Sequence, residues 1–403
     1  MLCQFTLKNF RSYRDEATLD MQATSMREFP ESLLGGGDSQ RFLPVAVAYG
    51  PNAGGKSNLI EALAYVQAAV SRPVVLLGGD GGDPKAPVLR RCAPFAFDDG
   101  SASEPSEFEV YFRVRGHEYR YGLAVLGSRI ASEGLSRRKV GASRTAMLFE
   151  RRGDEVELGP SLRRRGIATS FNPSIPYLSF LYMNSDAEPV RDAMGWFLSC
   201  VHLDYNNAHL ERALESMLSE DDSPRISRFL RAVDVRVDGI RVERDEEGRG
   251  QRVYVRHEVG GRPYELRLAE ESAGTKKLMG LSTVVAAALE EGGLVLVDEL
   301  DAKLHPKLLR YVILLFKDPE ANRGGAQLVF TSQDVSVMRN DVFRRDEIWF
   351  AAREDGEASR LWSLSDLREP SGNPVNKNAA FDKQYLAGRY GADPYLRRIE
   401  EWE

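Results

Sequence analysis

The segment GPNAGGKS, residues 50–57, has the residue types and spacing of a loop that binds phosphate groups. It follows the apolar run 45–49 and precedes apolar residues at helical spacing, which predicts a strand, a loop and a helix. Glycines permit a tight turn whose backbone N–H groups surround phosphate oxygens, and the helix N-terminus adds partial positive charge. A glycine loop that merely caps a helix is the alternative interpretation.

Lys56 and Ser57 are the side chains of this loop with the most specific chemistry. Lys56 is predicted to supply a cation to the β- and γ-phosphate oxygens of ATP, and the Ser57 hydroxyl to ligate Mg²⁺. The remaining residues predicted to line the nucleotide in and beside this loop are Gly50, Asn52, Gly54, Gly55 and Asn58.

An acid pair follows a second apolar run, in the segment LVLVDEL at 294–300. Asp298 is expected at the carboxyl end of a buried strand, where it can hold Mg²⁺ through water. Glu299, one residue further, can accept a proton from an attacking water molecule. Two solvated surface carboxylates are the alternative, but together with the upstream phosphate loop the pair predicts hydrolysis of the bound nucleotide.

The segment ESAGTKK, residues 271–277, precedes a predicted helix shortly before the acid pair. Ser272 and Gly274 can present a hydroxyl and backbone N–H groups to an anion at the helix N-terminus. The alternative is that Ser272 only caps this helix. Its position in the chain, between the phosphate loop and the acid pair, favours the anion site.

The composition is that of an ordinary globular protein, since 42% of the 403 residues are hydrophobic and 28% are charged. A net charge of −6 gives the whole molecule no attraction for nucleic acid, so such contacts would need local basic patches. Three cysteines without paired spacing favour a reducing, cytoplasmic location. No segment approaches the ~20 apolar residues of a membrane span, and the alternating N-terminus differs from a signal peptide.

Alternating helices and apolar strands predict an α/β fold with a mixed, mostly parallel core sheet. We expect the core in two pieces, 1–84 with the phosphate loop and 265–403 with the signature segment, the acid pair and a switch region. Between them we expect a β-rich lobe at 85–186 and an insertion of short helices and a hairpin at 187–264. The first helix is expected to end at Pro73, and the absence of heptads predicts no long coiled coil.

These features in this order resemble the ABC/SMC clade of P-loop ATPases. The chain is more similar still to the RecF-like and OLD-like ATPases of prokaryotic antiphage operons, in the abortive-infection and PARIS-type branch. TSQD, after the next strand, belongs to the first resemblance. The segments that carry the second are FTLKNFRSYRD, EFEVYFRVRGHEYRYGLAV, DELDAKLHP, RRDEIWF and KQYLAGRYGADP, which are spread over nearly the whole chain.

The resemblance implies a head-to-head dimer that is held together by ATP. In it, Ser272 and Gly274 of one subunit reach the γ-phosphate bound by the other. Asp301 would lie at the dimer seam, and Arg11 and Ser12 near the nucleotide of their own subunit. Surface charge and a turn cap are the alternatives for these last residues.

Two departures from the family pattern affect the chemistry. Most relatives place a histidine after the last core strand to sense the γ-phosphate, whereas this chain has Gln333. Glutamine can orient water or donate a hydrogen bond but carries no charge, which predicts slower or less pH-dependent turnover. The glutamine with which relatives bridge Mg²⁺ is not found.

Taken together, the sequence predicts an ATP-hydrolysing sensor or scaffold in an antiphage system. The chain shows no second active site, which predicts a separately encoded effector such as a nuclease or toxin. A RecF-like DNA-repair ATPase and a nucleotide-gated scaffold that barely turns over are the alternatives. Basic runs at 137–139 and 163–165 are candidate contacts for nucleic acid or an acidic partner, or else solvated surface. Aromatics alternating with charge within 108–121 favour core packing over base stacking.

Overall fold

The computed structural model describes most of the chain. The boundary predicted between residues 84 and 85, and the helix predicted around Leu210 and Met217, lie outside the described residues. The residues left out of the description are 36–37, 79–91, 164–165, 206–213, 216–217, 234, 245–250, 355–356, 370 and 393–403.

The described chain contains both strands and helices. The strands are β1 Leu2–Lys8, β2 Ala17–Asp20, β3 Val45–Tyr49, β4 Ser106–Val114, β5 His117–Leu126, β6 Arg129–Lys139, β7 Ala146–Arg152, β8 Glu155–Leu158, β9 Cys200–Leu203, β10 Gly239–Arg244, β11 Gln251–Val259, β12 Arg262–Arg267, β13 Leu294–Val297, β14 Gln327–Thr331, β15 Ile348–Arg353 and β16 Ser359–Ser363. The helices are α1 Lys56–Gly78, α2 Pro160–Arg163, α3 Tyr177–Asn184, α4 Glu188–Leu198, α5 Ser223–Ala232, α6 Ala273–Glu291, α7 Pro306–Lys317 and α8 Phe381–Leu386.

The core sheet has six strands in the order β16-β15-β3-β14-β13-β9. All neighbours pair in parallel except β15 and β16. The side chains of β3, β13 and β14 are buried throughout because helices cover both faces of the sheet. The carboxyl ends of β9, β13, β14, β3 and β15 therefore meet at one edge, where α/β folds bind their ligands.

Helix α1 packs in the core that it shares with one face of this sheet, through Leu59, Leu63, Val66 and Val70. It is long and apolar enough to cross a membrane by length and composition alone, and just over half of its apolar window is buried inside the protein. The prediction that it ends at Pro73 is wrong, since the helix continues to Gly78. Pro73 removes one N–H donor, which does not end a helix whose preceding turns are fixed by packing.

The first β lobe is an antiparallel sheet in the order β2-β1-β4-β5-β6-β7-β8. The N-terminal strands β1 and β2 pair with each other, and β4 turns into β5 at Arg115 and Gly116, within the predicted β-rich lobe. Its aromatic residues pack in the core rather than forming an open stacking platform. The buried ones are Phe108, Phe112, Tyr119 and Tyr121, while Tyr111 is half-buried.

The insertion forms a small core of its own. The sheet β10-β11-β12 includes the predicted hairpin, whose turn residues Gly260 and Gly261 have φ of +60° and +75°. Helix α6 links the two cores: Leu278 and Met279 lie in the core of the insertion, and Leu281 and later residues lie in that of the head.

Two elements differ from the sequence expectation. The four-residue strand β9 lies inside the predicted helical stretch yet pairs with β13 in the core sheet, so the core is not confined to the two predicted pieces. Helix α3 lies inside the predicted β-rich lobe. Both elements are too short for a period to be recognised. Otherwise the predicted fold class is confirmed: an α/β head with a mixed core sheet, an antiparallel lobe and a small helical insertion. The longest described helix has only 23 residues.

Candidate nucleotide site

The phosphate loop, residues 50–57, connects β3 to α1 as predicted. Its backbone takes conformations that favour glycine: φ is +147° at Gly50, +106° at Gly55 and +62° at Ala53. A Cβ at Gly50 would lie 2.0 Å from the carbonyl oxygen of Ala351 on β15. The glycine at this position is therefore required by close packing of the loop on the core sheet.

The Lys56 side chain folds back over this loop. Its Nζ donates hydrogen bonds to the carbonyl oxygens of Gly50 and Pro51, both at 2.9 Å. Burial lowers the pKa of Lys56, and the charges of Asp298, Glu299 and Asp301 oppose that shift. The structure thus brings the phosphate loop and the acid pair together at the carboxyl edge of the core sheet.

The acid turn, residues 298–304, is fixed by a residue to which the sequence analysis gave no role. Thr331, the last residue of β14, donates from Oγ1 to Asp298 Oδ1 at 2.6 Å and accepts from the Glu299 N–H at 2.7 Å. Glu299 has a φ of +49°, which is rare for a residue with a side chain. A threonine at the end of a buried strand, beside the acid strand, was the available signal.

Gln333 links the phosphate loop to the acid turn. Its N–H donates to Asp301 Oδ2 at 3.1 Å, and its Nε2 donates to Asn52 Oδ1 at 3.0 Å. The other oxygen of Asp301 is buried without a hydrogen-bond partner among the described residues. Gln333 is exposed, so it can still turn toward a ligand.

The N-terminal loop places Arg11 and Ser12 against the start of α1. Ser12 Oγ accepts hydrogen bonds from Asn58 Nδ2 at 2.7 Å and from Ser359 Oγ at 2.8 Å. Arg11 contacts Asn58 Oδ1 at 3.4 Å and forms an ion pair with Glu61. Ser12 is buried and stabilises the start of α1 through these hydrogen bonds, whereas the neighbouring Arg11 is exposed.

The signature turn, residues 271–277, carries the N-terminus of α6. Ser272 is the N-cap, and its Oγ accepts from the Thr275 N–H at 3.0 Å. The side chain is nevertheless exposed, so a second ligand can reach the hydroxyl. A Cβ at Gly274 would lie 3.6 Å from the Lys303 carbonyl oxygen, which places the signature turn beside the acid turn.

Two further residues at the carboxyl edge were not predicted. Arg353, the last residue of β15, donates from Nε to the Ala53 carbonyl oxygen at 2.8 Å and so supports the tip of the phosphate loop. His202 lies on β9, beside the acid strand. Burial lowers its pKa, and the charges of Asp204, Glu61 and Asp298 oppose this shift. A single polar residue in a short strand gives no recognisable spacing.

His305 and the magnesium-bridging glutamine remain to be placed. His305 is the N-cap of α7, where Nδ1 accepts from the Lys307 N–H at 3.2 Å. The magnesium-bridging glutamine stays unassigned.

The basic runs are largely paired with acids. Arg137 contacts Glu188 at 2.9 Å, Arg138 pairs with Glu118, and Arg163 lies 3.7 Å from Glu157. Arg164 and Arg165 lie outside the described residues. Among the described residues of the two runs, Arg137, Arg138 and Arg163 are thus each paired with an acid.

The donor set fits a nucleotide with a divalent cation. The first N–H groups of α1 have no helical partner, and Lys56 lies beside them with only carbonyl acceptors. Ser57, at the second position of the helix, is half-buried, and Asp298 is half-buried at the end of β13. A hydroxyl and carboxylates beside a phosphate loop are the hard oxygen ligands that Mg²⁺ prefers.

Known proteins resemble this chain in fold and in sequence family. A comparison with curated proteins gives no match. Solved structures with a similar overall arrangement include the SMC head domain from Thermotoga maritima, with 15% identity over 90% of this chain and 98% of that chain and a TM-score of 0.41. Another is the Smc head domain with a coiled coil and joint derived from Pyrococcus yayanosii, with 12% identity over 96% and 99% and a TM-score of 0.44.

One protein-family profile, described as AAA domain, putative AbiEii toxin, Type IV TA system, matches residues 45–339. The matched region includes the phosphate loop, the signature turn, the acid turn and Gln333, and it covers well over half of the chain. The prediction of an ABC/SMC-like P-loop ATPase of the abortive-infection type is confirmed. The chain therefore belongs to this family of AAA-domain ATPases.

Proposed function

We propose that this chain binds ATP with Mg²⁺, that two heads close around the nucleotides, and that Glu299 serves as the base for hydrolysis. The observation that carries the proposal is the convergence at one sheet edge: Gln333 forms hydrogen bonds both to Asn52 of the phosphate loop and to Asp301 of the acid turn. The carboxylates of that turn also oppose the lowering of the Lys56 pKa by burial. A phosphate cradle alone would support binding. The added carboxylate of Glu299 supports hydrolysis, because a base must lie beside the reacting phosphate.

Each side chain then has a stated task. Lys56 exchanges its bonds to the Gly50 and Pro51 carbonyls for bonds to phosphate oxygens. Ser57 and Asp298 hold the cation, directly and through water. Bound magnesium would neutralise part of the triphosphate charge. Glu299, whose backbone is fixed by Thr331, accepts the proton of the attacking water, and Gln333 orients that water with an uncharged amide.

A dimer, or a higher homo-oligomer built from such dimers, completes the site. The exposed Ser272 hydroxyl and the N–H groups around the half-buried Gly274 lie at the N-terminus of a 19-residue helix, where partial positive charge accumulates. They serve the γ-phosphate of a second subunit, and Asp301 lies at the seam.

Phosphate release measured with and without EDTA tests the magnesium-dependent ATPase activity. Glu299→Gln keeps the shape but removes the base, so hydrolysis falls by about 10²–10⁴-fold. Nucleotide binding persists, and an ATP-bound dimer accumulates in size-exclusion chromatography with light scattering. Glu290→Gln, at an exposed ion pair with Arg225, is the matched control and leaves turnover unchanged. Unchanged turnover in Glu299→Gln would instead support a scaffold that barely hydrolyses ATP.

The biological role that we propose is a cytoplasmic sensor or scaffold that controls a separate effector in antiphage defence. The family description refers to a toxin of a type IV toxin–antitoxin system, which supports a defence context. Among the described residues no group of three or more histidine, cysteine, aspartate and glutamate side chains is placed to hold a metal ion, so a second metal centre is not apparent there. We therefore assign the damaging step to a separately encoded nuclease or toxin.

Expression in bacteria challenged with phage tests this role. The gene alone gives no abortive phenotype, whereas the gene with its neighbours protects, and Glu299→Gln changes that protection. Protection by the ATPase alone would contradict the proposed effector. The family match does not favour the RecF-type alternative, and ATP-dependent DNA binding with a steep salt dependence is the result that would revive it.

A further inference from the structure

Lys277, in the second turn of α6, connects the signature turn to the acid turn of the same chain. It is five residues beyond Ser272 and only 3% exposed. Its Nζ donates to the carbonyl oxygens of Glu299 at 3.0 Å and Ala302 at 2.7 Å. The ammonium also lies 4.3 Å from the centre of the Tyr205 ring. These contacts account for the ammonium without any ligand.

A buried lysine is not needed to hold these elements together. Burial lowers the pKa of Lys277 to about 8, because an ammonium loses hydration inside the protein. Apolar residues of similar volume often replace buried charges with no loss of stability. Leu278 and Met279, the next residues of the helix, already anchor α6 in the core of the insertion. The specific property of Lys277 is its pair of directional bonds to the acid turn.

These bonds hold the backbone of the proposed base from one side. The Glu299 N–H is held by Thr331 of the core sheet. The Glu299 carbonyl oxygen accepts from Lys277 of the signature helix and, within the acid turn, from the Ala302 N–H, both at 3.0 Å. Glu299 also has a left-handed φ of +49°, so its conformation depends on such contacts. A shift of α6 relative to β14 would therefore change the direction of the Glu299 side chain.

We propose that Lys277 is a positioning residue that couples the two nucleotide sites of the dimer, an inference that rests on the proposed function. When Ser272 binds the nucleotide of the second subunit, this contact fixes the position of α6. Through its hydrogen bonds to the acid turn, Lys277 then fixes the position of Glu299 of its own subunit for catalysis. Hydrolysis in each chain thus depends on the nucleotide held by the other.

Lys277→Met tests the coupling, with Lys276→Met as the matched control. Lys276 lies in the same turn but donates to the Ala269 carbonyl oxygen at 2.7 Å, away from the acid turn. Three quantities are measured for each variant: the Kd for ATP, the fraction of ATP-dependent dimer by light scattering, and the turnover per chain as a function of chain concentration.

The wild type and Lys276→Met gain turnover as the dimer forms. Lys277→Met binds ATP and dimerises within about twofold of the wild type, but its kcat in the dimer falls by about 10–100-fold because the base is misplaced. Lys277→Arg, which can still donate to both carbonyls, recovers part of that loss. A merely structural role would lower stability and ATP affinity together and would leave kcat of the folded fraction unchanged.

The failures of the two proposals are distinguishable. If the wild type neither dimerises with ATP nor hydrolyses it, the proposed function fails. If the wild type does both and Lys277→Met keeps its turnover in the dimer, the coupling by Lys277 is overturned. Should Lys277→Met not fold, the decision passes to Lys277→Arg: partial kcat at normal ATP affinity supports the coupling, and a joint loss of ATP affinity and stability contradicts it.

Discussion

The phosphate loop and the signature turn are both glycine-containing turns at a helix N-terminus, yet their surroundings differ. The phosphate loop is packed against β15, so that a Cβ at Gly50 would meet the Ala351 carbonyl at 2.0 Å, whereas Gly274 has 3.6 Å of room. Lys56 of the phosphate loop is buried, and Ser272 is exposed. The first turn is thus packed within one chain, while the exposed side of the second turn is where we propose that the nucleotide of a second subunit binds.

Gly50→Ala is expected to give the largest effect, because it attacks the packed turn. The new Cβ meets backbone, and φ of +147° is strained for alanine, so we expect a loss of about 3 kcal/mol or more in the free energy of unfolding and no ATP binding. Gly127→Ala is the control, since φ there is +64° with nothing within 4 Å. Urea unfolding and equilibrium ATP binding measure both. Equal losses in the two variants would mean that strain alone, and not close packing, requires the glycine.

Ser272→Asp places a negative charge at the exposed signature turn and should leave the fold intact. Aspartate keeps an N-cap acceptor for the Thr275 N–H, but its charge repels a triphosphate. We expect ATP binding by single chains to persist, and the ATP-dependent dimer and its turnover to fall by about 100-fold.

Ser272→Ala completes this comparison. It removes the cap and costs about 1 kcal/mol of stability, with a smaller loss of dimer than in Ser272→Asp. If Ser272→Asp dimerises and hydrolyses like the wild type, Ser272 is only an N-cap and the two turns do not share a nucleotide.

Gln333 lies between the two regions, and its substitution should have a moderate effect. Gln333→Ala loses the bond to Asn52 but keeps the N–H bond to Asp301, and we expect kcat to fall about tenfold. Gln333→His should introduce a pH dependence of kcat between about pH 6 and 7, where imidazole gains a proton. Rate profiles from pH 5.5 to 9 would show this, and an identical profile for all three proteins would exclude a role for residue 333 in turnover.

The titration of Lys277 gives the smallest expected effect, which is a change in stability with pH. Its pKa is lowered by burial to about 8 in the folded chain, whereas an unfolded lysine titrates near 10.4. Between these values the unfolded chain binds more protons, so this group makes the free energy of unfolding rise with pH. Relative to Lys277→Met, the wild type should gain on the order of 1–2 kcal/mol between pH 7.5 and 9.5 in urea unfolding. A constant difference would mean that the lysine is hydrated.

Much of the site was predictable because its motifs are local. The phosphate loop, the acid pair and the helix after Ser272 were recognised from spacing, and the structure brings the first two to one sheet edge. Thr331, Arg353 and Lys277 were not given roles, because each acts through hydrogen bonds to residues far away in the sequence. The short strand β9 lies in a segment that was predicted to be helical, since four residues are too few to show a hydrophobic period.

The sequence by itself determined the chemistry: a glycine-rich turn with Lys56 and Ser57, and a strand ending in Asp298 and Glu299. The tertiary structure decided how these parts are held, through Thr331 on one side of Glu299 and Lys277 on the other. The physical reason is that turn chemistry and hydrophobic period are encoded by neighbouring residues. Hydrogen bonds between elements far apart in the chain depend instead on packing that brings donor and acceptor together, which no local pattern records.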